Sequence, residues 1–178
     1  MNGRTTPIIG FAGYSDSGKT TLAVHAVRSL RRSGWKVAVI KHDGHDHYRE
    51  PEGTDSGRYA EAGADAVVVV SRGRTVKIER TEPDAGLAEA ASGLTGYDLI
   101  VVEGFKAEPH PKIVVFRDER QAEALERAGP NVVAYATTDR MRTLRAYPNP
   151  DGVSVLNVDE PDEVVDFIVR FCRLFRSG

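Results

Sequence analysis

The chain has 178 residues, 40% apolar and 28% charged, with a formal net charge of −2, which suits one globular domain over residues 1–178. That near-neutral balance, with Lys and Arg scattered, excludes the basic stripe of a duplex nucleic-acid binder. No apolar run approaches the roughly 18 residues of a membrane span, and no signal-peptide pattern opens the chain; with a lone cysteine, Cys172, the expected compartment is the reducing cytoplasm.

PIIGFAG (7–13) is a short apolar run ending in Gly and reads as a buried strand. A helix follows from Gly18 to Ser33, with Leu22, Ala26, Val27 and Leu30 on one face and Gly34 as its stop. WKVAVIKH (35–42) reads as the second strand, and residues 42–57 as a long polar loop. SGRYAEAGA (56–64) predicts a short helix capped by Asp55 or Ser56. Residues 65–80 predict a β-hairpin turning at Ser71-Arg72-Gly73. A weak helix over 87–94 precedes YDLIVVEGF (97–105), a strand ending in an acid. KIVVF (112–116) is another strand, Glu119 to Ala128 should be helical, and NVVAYATTD (131–139) is a strand with a polar tip. After a last short strand over 153–158, Asp159 to Phe175 predicts a helix with Val164, Ile168, Phe171 and Phe175 inward and Cys172 as a buried core thiol.

Val/Ile-rich strands alternating with helices predict an α/β fold: a mostly parallel sheet with helices on both faces and the hairpin inserted. The hairpin's AVVVV run is apolar on both faces, and pairing across a dimer would cover it.

GYSDSGKT, residues 13 to 20, satisfies G-x-x-x-x-G-K-[ST] between a strand and a helix, the signature of a phosphate loop. Gly13 and Gly18 let successive N–H groups face one anion. The helix start adds its partial positive charge. Lys19 is expected to meet the β- and γ-phosphates, and the Thr20 hydroxyl to ligate Mg²⁺. Asp16 occupies a variable position of the motif, and its carboxylate is expected to point outward, away from a triphosphate. Glu103, at the tip of LIVVEG, is the expected acid for the metal shell or for orienting water.

Lys41, His42 and Asp43 follow the second strand, where open α/β sheets bind ligands. They could touch phosphate, metal or attacking water. The cluster KHDGHDH (41–47) could equally be a zinc or nickel site through His42, His45 and His47, or a plain solvated loop. No N-K-x-D guanine motif occurs. Asp139, ending TTD, could accept hydrogen bonds from guanine or cap a helix.

Taken together, GFAGYSDSGKTTL, VIKHDGHDH, TDSGRYAEAGA, DLIVVEGFK and PKIVVFR resemble the MobB family of molybdopterin-guanine dinucleotide biosynthesis adapters over roughly residues 8 to 117. The resemblance implies a P-loop NTPase-like fold, binding of GTP with Mg²⁺, at most weak GTP hydrolysis, and a homodimer. It implies cooperation with the guanylyltransferase MobA, and contact with a molybdopterin-type ligand. It carries over Gly13, Tyr14, Ser15, Asp16, Ser17, Gly18, Lys19, Thr20 and Thr21 for the phosphates. Thr20 and Glu103 are carried over for Mg²⁺, Gly104 for close backbone approach, and Asp55 and Arg58 for nucleotide or partner-ligand contact. Lys106 belongs to the same motif without a clear role. The competing readings are a P-loop kinase of a small metabolite, with Arg140, Arg142 and Arg145 as a lid, and a nickel or zinc delivery GTPase.

Overall fold

Pro7 and the apolar residues after it offer no side-chain competitor for backbone hydrogen bonds, and Ile9 and Phe11 are wholly buried, so Ile8–Ala12 becomes an interior strand, β1. In chain order the elements then run α1 (Lys19–Arg32), β2 (Val37–Lys41), α2 (Asp55–Glu61), β3 (Ala66–Ser71), β4 (Arg74–Glu79), α3 (Leu87–Ser92), β5 (Leu99–Glu103), β6 (Lys112–Val115), α4 (Glu119–Ala122), β7 (Val132–Thr137), β8 (Ser154–Asn157) and α5 (Pro161–Ser177). The structure is a computed structural model, and it describes residues 5–44, 53–81, 86–122, 128–138 and 153–177. Residues 123–127 of the expected fourth helix, His45, His47, Asp139 and the Arg140–Arg145 lid candidate lie outside the described residues.

The chain forms two compact units, residues 1–42 with 87–178, and residues 43–86. In the first, six strands run in the order β2-β5-β1-β6-β7-β8, every pair parallel. Helices cover both faces, as the alternation of strand and helix predicts. Ile9, Phe11, Leu99, Val101, Ile113 and Val115 pack with Leu22, Ala26 and Leu30 of α1 and Val164, Ile168 and Cys172 of α5. Ala38, Ile100 and Val102 form a separate cluster with Leu87 of α3. Alternate residues of each strand thus serve opposite faces. No described helix is long and apolar enough to cross a membrane.

Burial along α5 runs out after Cys172, which is wholly buried with its thiol pushed up to about 11 by desolvation. Phe175, expected inward, is instead 45% exposed at the last turn, its ring 6.4 Å from that of Phe171.

This unit also has a polar internal brace. Lys112, the first residue of β6, is wholly buried, and its ammonium donates to the carbonyls of Lys106, Glu108, Ala128 and Pro130 at 3.0, 2.6, 2.7 and 3.2 Å. One side chain therefore ties the loop after β5 to the connection entering β7. Asn131, at φ 67, adds a bond from Nδ2 to the Pro109 carbonyl at 2.8 Å. Beside this cage lies His110, whose two ring nitrogens are buried without partners among the described residues. Desolvation, with the Lys112 charge second, pushes its pKa down to about 4, so the ring is neutral at pH 7. The ring occupies the space over Gly10, where any side chain would collide with it.

In the second unit, Thr54 caps α2, its hydroxyl accepting from the Gly57 N–H at 3.2 Å. This corrects the expected cap at Asp55 or Ser56. Thr54 has the extended backbone (φ −82, ψ 151) of a cap residue, and Asp55 already belongs to the first turn. The hairpin forms as predicted: β3 and β4 pair antiparallel, with Ser71 opposite Arg74 and Gly73 at φ 77 in the turn. Val68, Val69 and Val70 are 56%, 39% and 78% exposed.

Candidate functional site

β1 ends at Ala12, and the next residue must turn against a neighbouring strand. Gly13 can do so because a Cβ there would strike the Val115 carbonyl oxygen and lie 2.8 Å from Ser17 Oγ. Gly18 closes the loop at φ 93 and stands as the N-cap of α1 with no side-chain cap, which leaves the helix's first N–H groups free of side-chain acceptors. Ser17 is wholly buried between them, and its Oγ has no hydrogen-bond partner among the described residues. A buried hydroxyl without a partner is costly, and this one packs beneath the loop beside Gly13. Lys19 folds across the same loop, Nζ donating to the Tyr14 carbonyl at 3.0 Å. Free helix N–H groups and an ammonium form a set of donors suited to an anion.

Asp16 lies in the middle of the loop. It takes a left-handed backbone (φ 61), which Asp tolerates better than most residues, and its side chain is exposed. The loop uses Asp16 for its backbone geometry while the carboxylate stays in solvent, as expected.

The acid arrives from the neighbouring strand. β5 pairs with β1 with Phe11 opposite Glu103, and with β2 with Lys41 opposite Glu103. That register sets the Glu103 carboxylate against the first turn of α1, where Thr20 Oγ1 donates to Oε1 at 2.9 Å. A hydroxyl and a carboxylate in contact beside an anion site are oxygen ligands suited to a hard cation. The two residues expected to share a metal are therefore adjacent.

Beyond Glu103 the chain turns through Gly104 (φ 95) and Phe105 (φ 47). Gly104 does permit a close approach, and the group that approaches is His42: a Cβ on Gly104 would lie 2.8 Å from the His42 Cβ. The His42 N–H donates to the Glu103 carbonyl at 2.8 Å, and its ring lies against Phe105 at 4.5 Å between centroids. Lys106 then reaches back over the Tyr14 ring, Nζ 5.3 Å from its centroid. The carbonyl of this same Lys106 is held by Lys112. The buried cage thus fixes the segment that bridges the acid strand to the phosphate loop.

Thr21 is exposed on the first turn of α1, and Ser15 and Lys41 are exposed as well. Asp43, Asp55 and Arg58 belong to the second unit, where Asp55 and Arg58 pair at 3.9 Å across α2. Among the described residues no group of His, Cys, Asp and Glu is arranged to hold a metal ion by itself. Sequence reading assigned nothing to Arg117, Asp159, His110 or the Lys112 cage. Arg117 and Lys112 lie within PKIVVFR, but what they touch depends on strand pairing that no local spacing announces.

The family model for MobB, molybdopterin guanine dinucleotide synthesis protein B, matches residues 8–138. A molybdopterin-guanine dinucleotide biosynthesis adapter protein of Haemophilus influenzae is 34% identical over 174 residues, covering 97% of this chain and 93% of its own. The Escherichia coli protein of the same description is 32% identical over 176 residues, covering 96% and 97%. Among solved structures, a MobB homolog from Bacillus stearothermophilus superposes with a TM-score of 0.70 at 27% identity, covering 94% of this chain and 98% of that one. Bacillus subtilis MobB gives 0.71 at 27% identity, covering 92% and 96%.

Proposed function

The chain belongs to the MobB family, and on that premise we propose that it is a GTP-binding adapter of molybdopterin-guanine dinucleotide biosynthesis, working beside the guanylyltransferase MobA. The observation that carries the nucleotide reading is the Thr20–Glu103 contact at 2.9 Å, which joins the phosphate loop to the acid strand at one point. In this reading Gly13 to Thr21 hold the phosphates and Lys19 neutralises their β/γ end. Thr20 and Glu103 hold Mg²⁺, which when bound supplies charge neutralisation between those phosphates. Asp139 reads guanine, and Asp55 and Arg58 contact nucleotide or a phosphate-bearing molybdopterin-type ligand.

The proposed role is that of a holder with at most weak GTP hydrolysis, in which Glu103 and Asp43 orient water. Two exposed-valine hairpins pairing would cover Val68, Val69 and Val70, so we assign the protein as a homodimer through this element. Buried Cys172, with no disulfide to form, fits the cytoplasm.

The adapter role predicts a physical partner. Calorimetric titration against MobA should show saturable binding that tightens when GTP and Mg²⁺ are present. No heat and no pull-down, with and without GTP, would overturn the adapter assignment and leave a nucleotide-binding protein alone.

A further inference from the structure

β6 pairs with β1 on the side opposite β5, so its tip reaches the flank of the phosphate loop away from Glu103. Arg117 stands there, just past β6. Its Nη2 and Nε are the atoms nearest the place a Cβ would occupy on Gly18, at 3.5 and 3.6 Å. The residue is held from three directions. Nη1 donates to Asp159 Oδ1 at 3.0 Å, the backbone N–H donates to Gln121 Oε1 at 2.9 Å, and the carbonyl accepts from Thr138 Oγ1 at 3.1 Å.

Asp159 uses Nη1 only. Nε and Nη2 form a separate edge of the guanidinium, the one whose parallel N–H groups match two oxygens of a phosphate. That edge has no acceptor among the described residues, and it faces the start of α1. The charge there has the wrong sign for an empty helix N-terminus, which favours anions, and Lys19 adds a second cation to the same loop. One anion lying along the loop would satisfy both cations together.

We infer that Arg117, positioned by Asp159, donates through its Nε/Nη2 edge to the α-phosphate of the bound nucleotide. This rests on the Mg-nucleotide reading above. The choice of phosphate follows from the sheet order. The metal pair Thr20–Glu103 lies on the β5 side of β1 and marks the γ end, so the nucleoside end extends toward β6, β7 and β8. Arg117 is on that second side.

The test is calorimetric titration of GTP and GDP, each with Mg²⁺, into wild type, Arg117→Gln and Lys19→Ala, with the melting temperature of each nucleotide-free protein. Arg117→Gln should lower affinity for GTP and GDP equally, by about tenfold or more, because both nucleotides carry the α-phosphate. Its nucleotide-free melting temperature should stay within about 5 °C of wild type. If wild type binds neither nucleotide, the nucleotide reading falls and this inference with it. If Lys19→Ala loses binding while Arg117→Gln stays within twofold of wild type, only the role of Arg117 is overturned. A loss confined to GTP removes the α-phosphate assignment. A loss accompanied by a larger melting shift makes Arg117 structural and overturns the inference as well.

Discussion

Lys19→Ala should lower the affinity for GTP with Mg²⁺ by about 100-fold or more. The side chain is the cation of the loop: its Nζ donates to the Tyr14 carbonyl by one bond at 3.0 Å, and its remaining N–H groups have no acceptor among the described residues. A phosphate would receive them as charge-assisted hydrogen bonds, each contributing about 1.5–3 kcal/mol. Losing two such bonds amounts to about 3 kcal/mol or more, which is the stated fold-change. The fold should barely notice. Gly13 packed on Val115 and Ser17 buried beneath the loop hold its shape without Lys19. The expected result is therefore lost binding in calorimetry with nearly unchanged thermal unfolding. Unchanged GTP affinity would mean that residues 13 to 20 do not hold phosphate.

The largest effect on stability is expected at Lys112. Lys112→Met keeps most of the volume but leaves the carbonyls of Lys106, Glu108, Ala128 and Pro130 without their donor. Each buried carbonyl left without a donor costs about 1–3 kcal/mol, so four together weigh heavily against a total of about 5–15 kcal/mol for a typical domain. Denaturant unfolding should show that loss. GTP affinity should fall too, since the cage holds the segment that carries Lys106 over Tyr14. A stability within 1 kcal/mol of wild type, on the order of a single ordinary hydrogen bond, would show the cage to be dispensable. The neighbouring His110 adds a pH signature with a definite sign. Its folded pKa, pushed from 6.5 down to about 4, means the unfolded chain takes up a proton that the native chain refuses. Stability should fall as pH drops from about 6.5 to about 4, by up to about 3 kcal/mol, and His110→Gln should flatten that slope.

Much of this architecture was legible because it is written locally. The Val/Ile-rich strands, the stripe Leu22–Ala26–Leu30 and the glycines of the phosphate loop each act through neighbours a few residues away, and the structure forms them where expected. The acid Glu103 was legible because strand tips of a parallel sheet converge on one edge. Three features were not. The Thr54 cap lay one residue before Asp55 and two before Ser56, the candidates considered, and hydroxyl and carboxylate caps look alike in sequence. Lys112 reads as a surface lysine until the loops on either side fold over it. Arg117 gains its meaning from the β1–β6 pairing, a contact between residues far apart in the chain. Gly104 was expected to allow a close backbone approach, and the group packed against it here is His42.

In GYSDSGKT, the proposed anion cradle, Asp16 is turned to solvent, Val115 packs behind Gly13, and Glu103 and Arg117 flank the loop on opposite sides. Calorimetric titration of the purified protein with GTP and with ATP, in the presence and absence of Mg²⁺, probes that cradle directly. Stoichiometric GTP binding, tighter with Mg²⁺ and tighter than ATP, is the predicted result. Tighter ATP than GTP binding would contradict the guanine assignment, and no binding of either would contradict the nucleotide site itself.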